Sequence, residues 1–296
     1  MPGNLQFIKN YKDNHQLRES FFELANSIFG LDFVSWYENG FWGKRYIPFS
    51  FADGNSIIAN VSVNILDFII QGTQHRAVQI GTVMKHPDYR NKGLSKRLMN
   101  KVLEDYKDSF DFMYLFANDF VLDFYPKFGF EKVQEYQYWS TFHSSAEAGA
   151  KNKLRKLNVS NRTDLAFIYS FAIDRIPVSN TFATSNSQGI LMYHCLNVFP
   201  NEIYYHETEK AIVIFNKNEN AFEIFDIISK TPVNIQNVLE DLAGEGSCKV
   251  IFYYTPDYEG MTYEIIPVQD GGTLFVKTNE NHCYPERVKH PVTSEA

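Results

Sequence analysis

The segment from Gly81 to Leu98 reads GTVMKHPDYRNKGLSKRL. Within it Arg90, Asn91, Lys92, Gly93, Leu94 and Ser95 follow an apolar run, and from Leu94 onward Leu94, Leu98, Val102 and Tyr106 recur at helical spacing. A glycine directly before a helix lets an anion approach the unpaired N–H groups of the first turn, where the helix dipole also favours negative charge. Arg90 and Lys92 add positive charge there, and the Ser95 hydroxyl adds a donor. The chemistry on offer is capture of a phosphate or pyrophosphate, although so short a pattern also occurs in ordinary turns.

Residues 118–130 read NDFVLDFYPKFGF. Pro126 disfavours helical geometry at Tyr125, so a short helix over 119–125 is expected to end at the tyrosine and leave its side chain at a mouth. A phenol in that position can supply a proton or stabilise developing negative charge. As one of 18 tyrosines, it is otherwise an aromatic anchor beside a glycine turn.

The elements that must position these residues follow from periodicity. Leu17, Phe21, Leu24, Ala25 and Ile28 predict an amphipathic helix over 17–29. Alternation predicts a strand over 57–66, with a second run at 67–70, a turn at 71–74 and a strand over 77–84, consecutive partners in an antiparallel meander. A helix behind Gly93, a strand over 112–116, the turn of helix at 119–125 and a strand over 131–138 complete a mixed α/β unit. The small, polar residues 143–150 mark a boundary. Beyond it, strands are expected at 154–159, 202–206, 211–215, 221–228 and 249–254, with helices at 162–173 and 233–242. This order gives domains at 1–145 and 151–280, followed by a loosely held tail at 281–296.

With strand, glycine loop and helix in this order, the region from Ala77 to Val133 resembles the GNAT superfamily of N-acetyltransferases. The family's cofactor loop is Gln or Arg, two residues, Gly, one residue, then Gly or Ala. Here it stands as Arg90 to Ser95, with Ser95 as a departure that keeps a small residue. The resemblance implies acetyl-CoA as cosubstrate, its pyrophosphate at Arg90, Asn91, Lys92, Gly93, Leu94 and Ser95. It also implies that the backbone of Val83, Met84 and Lys85 pairs with the pantetheine arm and that Asn118 touches the cofactor. Tyr125 then becomes the general acid to the CoA thiolate after direct attack by a primary amine in a ternary complex. The aromatic stretch that includes Trp36, Tyr37 and Trp42 falls where the family builds part of its acceptor pocket, with a hydrophobic cluster pinning the loop as the alternative. His75, His86, Glu38 and Asp119 are candidate bases on chemistry alone, and a water chain serves equally.

The second half repeats the programme, with 222–228 as counterpart of the cofactor strand, but its following connection, SKTPVN, lacks glycine and the RxxGx pattern. The fold expected is therefore two GNAT-like domains in tandem, the second degenerate and without cofactor. A non-catalytic acyl-CoA-binding sensor is the rival reading. The net charge of -7 argues against nucleic acid as a partner, including charged tRNA. Cys195, Cys248 and Cys283 lack the paired spacing of zinc sites, so no metal is expected. With neither a signal-peptide pattern nor a run of about 20 apolar residues, no membrane is expected as a partner, and the chain reads as cytoplasmic. The acceptor is a small-molecule or peptide amine.

Overall fold

Capping and turn residues set the first elements. The computed structural model describes residues 5–144, 154–218, 221–243, 246–269, 271–279 and 281–296. Strand β1 (Gln6–Lys9) leads to helix α1 (His15–Phe29), which Asn14 caps by accepting from Leu17 N at 3.2 Å and which ends at left-handed Gly30. The buried face of α1 carries Phe21, Phe22, Leu24 and Ala25. A short helix α2 (Val34–Glu38) precedes strands β2 (Tyr46–Asp53), β3 (Ser56–Ile70) and β4 (Thr73–Lys85). The two runs expected at 57–66 and 67–70 are one strand, and Gln71 and Gly72, both at positive φ, form the hairpin turn into β4. Helix α3 (Leu94–Tyr106) connects β4 to β5 (Phe112–Ala117); β6 (Glu131–Lys132) and β7 (Tyr136–Ser144) follow.

The second half contains β8 (Leu154–Lys156), α4 (Arg162–Asp174), β9 (Phe182–Ser185), α5 (Gln188–Asn197), β10 (Ile203–His206), β11 (Ala211–Lys217) and β12 (Ala221–Ser229). Helix α6 (Ile235–Leu242) then leads to β13 (Gly246–Phe252), β14 (Glu264–Pro267) and β15 (Thr273–Thr278). No helix among the described residues is long and apolar enough to cross a membrane.

Two mixed sheets result. The first runs β1-β2-β3-β4-β5-β15-β6, with β9 also paired to β3; the second runs β14-β7-β13-β12-β11-β10-β8. In the first, β4 and β5 are parallel and pair only through Ala77–Gln79 and Phe112–Tyr114, after which the two strands part. The second sheet has the same feature: β12 and β13 are parallel, joined by α6, and pair only at the start of β12, from Ala221 to Ile224. Asn234, not a glycine, caps α6 by accepting from Gln236 N at 3.0 Å.

The halves exchange strands between the two sheets. The predicted strand over 131–138 is split, and β7 leaves the first sheet to lie between β13 and β14 of the second. In return β15 enters the first sheet between β5 and β6. The junction predicted after residue 145 falls on 145–153, outside the described residues. The predicted loose tail at 281–296 is instead packed: His290, Thr293 and Ser294 are buried, and Thr293 Oγ1 donates to Asp226 at 2.5 Å. Pairing of Lys289 with Glu135 at 3.2 Å holds the same segment from the other side. Composition misled here because the prolines and charges of this segment are satisfied by partners far away in sequence.

Candidate functional site

The parted ends of β4 and β5 frame a cavity of about 630 Å³. Its walls are the last part of β4 (Ile80, Gly81, Thr82, Val83, Lys85), Arg90 and Ser95 from the following loop and helix, and Phe116, Ala117 and Asn118 at the end of β5. Tyr125 closes one side, and Ile28, Phe29 and Leu31 at the end of α1 face it together with Phe120 and Phe124.

A β-bulge shapes the β4 wall. Asn60 pairs with Met84 and Ser62 with Gly81, so β4 carries one extra residue across this step. Thr82 takes a φ of 49°, a conformation costly for a β-branched residue. Its carbonyl accepts from Asn60 Nδ2 at 2.9 Å and its hydroxyl meets the Tyr46 hydroxyl at 3.3 Å, which holds the bulge in place. The consequence is a backbone turned out of register with β3 just where Val83 and Lys85 line the cavity.

The loop before α3 combines Asn91 at φ 60° with Gly93 at φ 69°. No atom lies within 4 Å of where a side chain on Gly93 would stand, so the start of α3 is open to an approaching anion. Arg90 and Ser95 line the cavity; Leu94 and Met84 point into the core, each 2% exposed. The Lys92 ammonium lies 4.2 Å from the Tyr89 ring centroid, and Tyr89 donates to Asp53 at 2.9 Å, so this lysine is stacked on the outer side of the loop.

Tyr125 is 5% exposed and does not end a helix as predicted. It begins a 3₁₀ turn, Tyr125–Phe128, closed by left-handed Gly129, because Pro126 fits the first positions of such a turn. Burial alone pushes its hydroxyl up to about 12. The side chain is thus held neutral at the cavity wall, with the ability to donate a proton.

Other expected site residues lie elsewhere. Trp36 and Trp42, each 3% exposed, belong to the core joining α1 to α4 and α5, not to this cavity. Trp36 Nε1 donates to Gly189 O at 2.7 Å, and Tyr37 accepts from Arg18 at 2.9 Å. Trp36 borders a smaller cavity of about 230 Å³. The stretch was rich in aromatics because it seals the junction between halves. Of the candidate bases, His86 accepts from Asp88 N at 3.3 Å and caps the turn after β4, while His75 sits at the other end of β4. None of His75, His86, Glu38 and Asp119 lines the cavity.

The C-terminal segment supplies a wall that sequence reasoning missed. Ala296 lines the cavity against Gly81, and Glu295 O accepts from His194 Nε2 at 2.7 Å. With its amide turned to satisfy both neighbours, Gln79 donates to Ser294 O at 3.1 Å and accepts from Ala296 N at 3.0 Å. No local signal in the sequence links residue 296 to residue 81.

Residues 37–133 match the family model described as the acetyltransferase (GNAT) domain. Residues 37–133 carry a GNAT domain. No curated protein matches the chain in sequence. Among solved structures, a probable N-acyltransferase from Enterococcus faecalis V583 is similar over 93% of this chain and 72% of its own, at 14% identity and a TM-score of 0.59. A GCN5-related N-acetyltransferase from Kribbella flavida matches 93% of this chain and 72% of its own, at 13% identity and a TM-score of 0.54. Another from Anabaena variabilis matches 92% and 73%, at 12% identity and a TM-score of 0.54. At these identities the likeness is one of fold, and it extends beyond the GNAT domain across both sheets.

Proposed function

We propose that the chain is an acetyl-CoA-dependent N-acetyltransferase that transfers acetyl to a primary amine by direct attack. The observation that carries this reading is the cavity between the parted β4 and β5, walled by Arg90 and Ser95, which flank the open helix start at Gly93, and by the buried phenol of Tyr125. In this reading the pyrophosphate of acetyl-CoA meets Arg90, Ser95 and the first N–H groups of α3, and the pantetheine arm runs along Val83 to Lys85. Asn118, at the end of β5, contacts the same arm.

The amine and thioester gain proximity by binding side by side, which accounts for much of the acceleration in such reactions. Attack on the thioester carbonyl forms the new C–N bond; collapse breaks the C–S bond, and Tyr125 gives its proton to the departing sulfur. The amine loses its proton to solvent through water; none of His75, His86, Glu38 and Asp119 lines the cavity. Ile28, Phe29 and Leu31 at the end of α1, in place of the aromatic residues expected from the sequence, form the acceptor side. Their apolar character favours an amine carried on an apolar or aromatic body. The second sheet, whose connection into α6 lacks an open glycine, acts as a degenerate GNAT-like domain without cofactor and braces the site through the C-terminal segment.

Thermal unfolding with and without acetyl-CoA tests this, on the wild type and on Gly93→Glu, each compared with its own ligand-free baseline. Ligand at about a hundred times its dissociation constant should stabilise the wild type by roughly 2.7 kcal/mol and leave the variant unmoved. Thiol release on screening amines then identifies the acceptor. Stabilisation without thiol release from any amine would favour an acyl-CoA sensor, and no stabilisation would remove the cofactor site.

A further inference from the structure

We infer that His75, Asp111 and His282 bind one divalent transition-metal ion of the zinc class, at the end of the first sheet away from the cavity. His75 lies on the opening part of β4, Asp111 immediately before β5, and His282 after β15. Along β4 the site is roughly 20 Å from Gly81, at about 3.3 Å per residue of strand.

The distances favour a shared ion over direct bonding. His75 Nδ1 stands 4.0 Å from one oxygen of Asp111, and His282 Nε2 stands 3.8 Å from the other. Both separations exceed the roughly 2.7–3.2 Å of a hydrogen bond. One ligand atom from each residue lies within 4.8 Å of the other two. Ligands bound at about 2.0–2.1 Å to a tetrahedral zinc stand about 3.3 Å apart, so small side-chain rotations close the set. Two imidazoles and a carboxylate are a donor set that suits zinc and its neighbours, whereas calcium and magnesium require oxygen.

The scaffold is already in place. Asp111 accepts from Arg76 N at 2.8 Å through its side chain, and its own N–H donates to Arg76 O at 3.0 Å. Asn279 N donates to Asp111 O at 3.0 Å, and His282 N donates to Asn279 O at 3.0 Å, which ties all three segments together. The two imidazoles meet edge to face with centroids 5.3 Å apart, and each packs on Phe112 at 5.7 Å. His282 Nδ1 is buried without a partner among the described residues, so no hydrogen bond from that atom explains how the ring is aimed. The side chains of His75, Asp111 and His282 are 21%, 29% and 26% exposed, which leaves a face open for water as a fourth ligand.

The ion would latch β15 into the first sheet by joining the entry to β5 with the loop that follows β15. The cysteine spacings gave no hint of a metal, and residues so far apart in sequence are joined by no spacing rule. In the test, chelator-treated full-length protein is titrated with Zn²⁺ by calorimetry and with Co²⁺ by visible absorption. His75→Gln, His282→Gln and the control His86→Gln are compared with the wild type. The expected result is one ion per chain in the wild type and the control. Each site variant should lose at least about a hundredfold in affinity, more than the roughly 10–100-fold that an outer-shell partner costs. Absence of wild-type binding, or unchanged affinity when both site histidines are replaced, would overturn the inference. Should a variant fail to fold, Co²⁺ broadening of the His75 and His282 ring signals in the wild type decides: broadening supports the site, and unaffected signals sink it.

Discussion

Gly81 and Ala296 touch across the wall of the cavity: a methyl group on Gly81 would stand 3.1 Å from the main-chain carbon and oxygen of Ala296. Gly81 is not at positive φ, so the demand for glycine comes from this approach and not from the backbone. Gly81→Ala is therefore expected to push the C-terminal segment outward by a few tenths of an ångström. Overpacking of this kind costs about 1–3 kcal/mol. The melting temperature should fall, and KM should rise, since Gly81 and Ala296 both line the cavity. Unchanged kinetics together with an unchanged melting temperature would mean that the contact is not maintained in solution.

Tyr125→Phe removes the proposed proton donor while preserving the ring contact with Phe275, whose centroid lies 5.8 Å away. Turnover should drop by about 10²–10⁴-fold, the usual weight of general acid catalysis, with little change in acetyl-CoA affinity. Because burial pushes this hydroxyl up to about 12, it stays protonated through neutral and mildly alkaline pH. The wild-type rate should accordingly show no falling limb below about pH 10 that can be assigned to Tyr125. A loss of binding equal to the loss of turnover would reassign Tyr125 to packing.

How much of this was legible depended on how local the signal was. The glycine loop, α3 and the neighbouring strands follow from residues adjacent in sequence, and Arg90, Ser95 and Asn118 line the cavity. The bulge at Thr82 was invisible because nothing in its side chain announces a positive φ; the hydrogen bond from Asn60 imposes it. Trp36 and Trp42 fit an acceptor pocket or a hydrophobic cluster equally well by sequence, because aromatic residues serve both, and only their packing against the second half separates the two. The exchange of β7 for β15, and the burial of His290, Thr293 and Ser294, rest on pairing between residues far apart in sequence, 154 positions in the case of Glu135 and Lys289. Periodicity carries no information at that range.

His290 is fully buried, facing Tyr114, Ser294 and the charge of Lys289, and burial first and Lys289 second push its imidazole down to about 3. The unfolded chain takes up this proton near the ordinary value of 6.5, so the unfolded state binds more protons as the pH falls. The stabilising contribution is complete above about 6.5 and is lost on acidification toward about 3, at up to roughly 1.4 kcal/mol per pH unit. Melting temperatures from pH 7 to pH 4.5 should therefore decline less steeply in His290→Gln than in the wild type, although the variant begins lower. Parallel slopes in the two proteins would show that His290 takes its proton in the folded state.

Phe29 is 44% exposed at the end of α1 and borders the cavity, so its removal touches the proposed acceptor side without opening the core. Phe29→Ala should leave the melting temperature nearly unchanged, as expected of a surface substitution, within about 0.5 kcal/mol. Its effect should fall on KM for an amine with an apolar body, by up to about thirtyfold if some 2 kcal/mol of contact is lost. A small polar amine should be affected far less. Equal effects on both amines, or an effect on acetyl-CoA alone, would move Phe29 from the acceptor side to the cofactor side of the cavity.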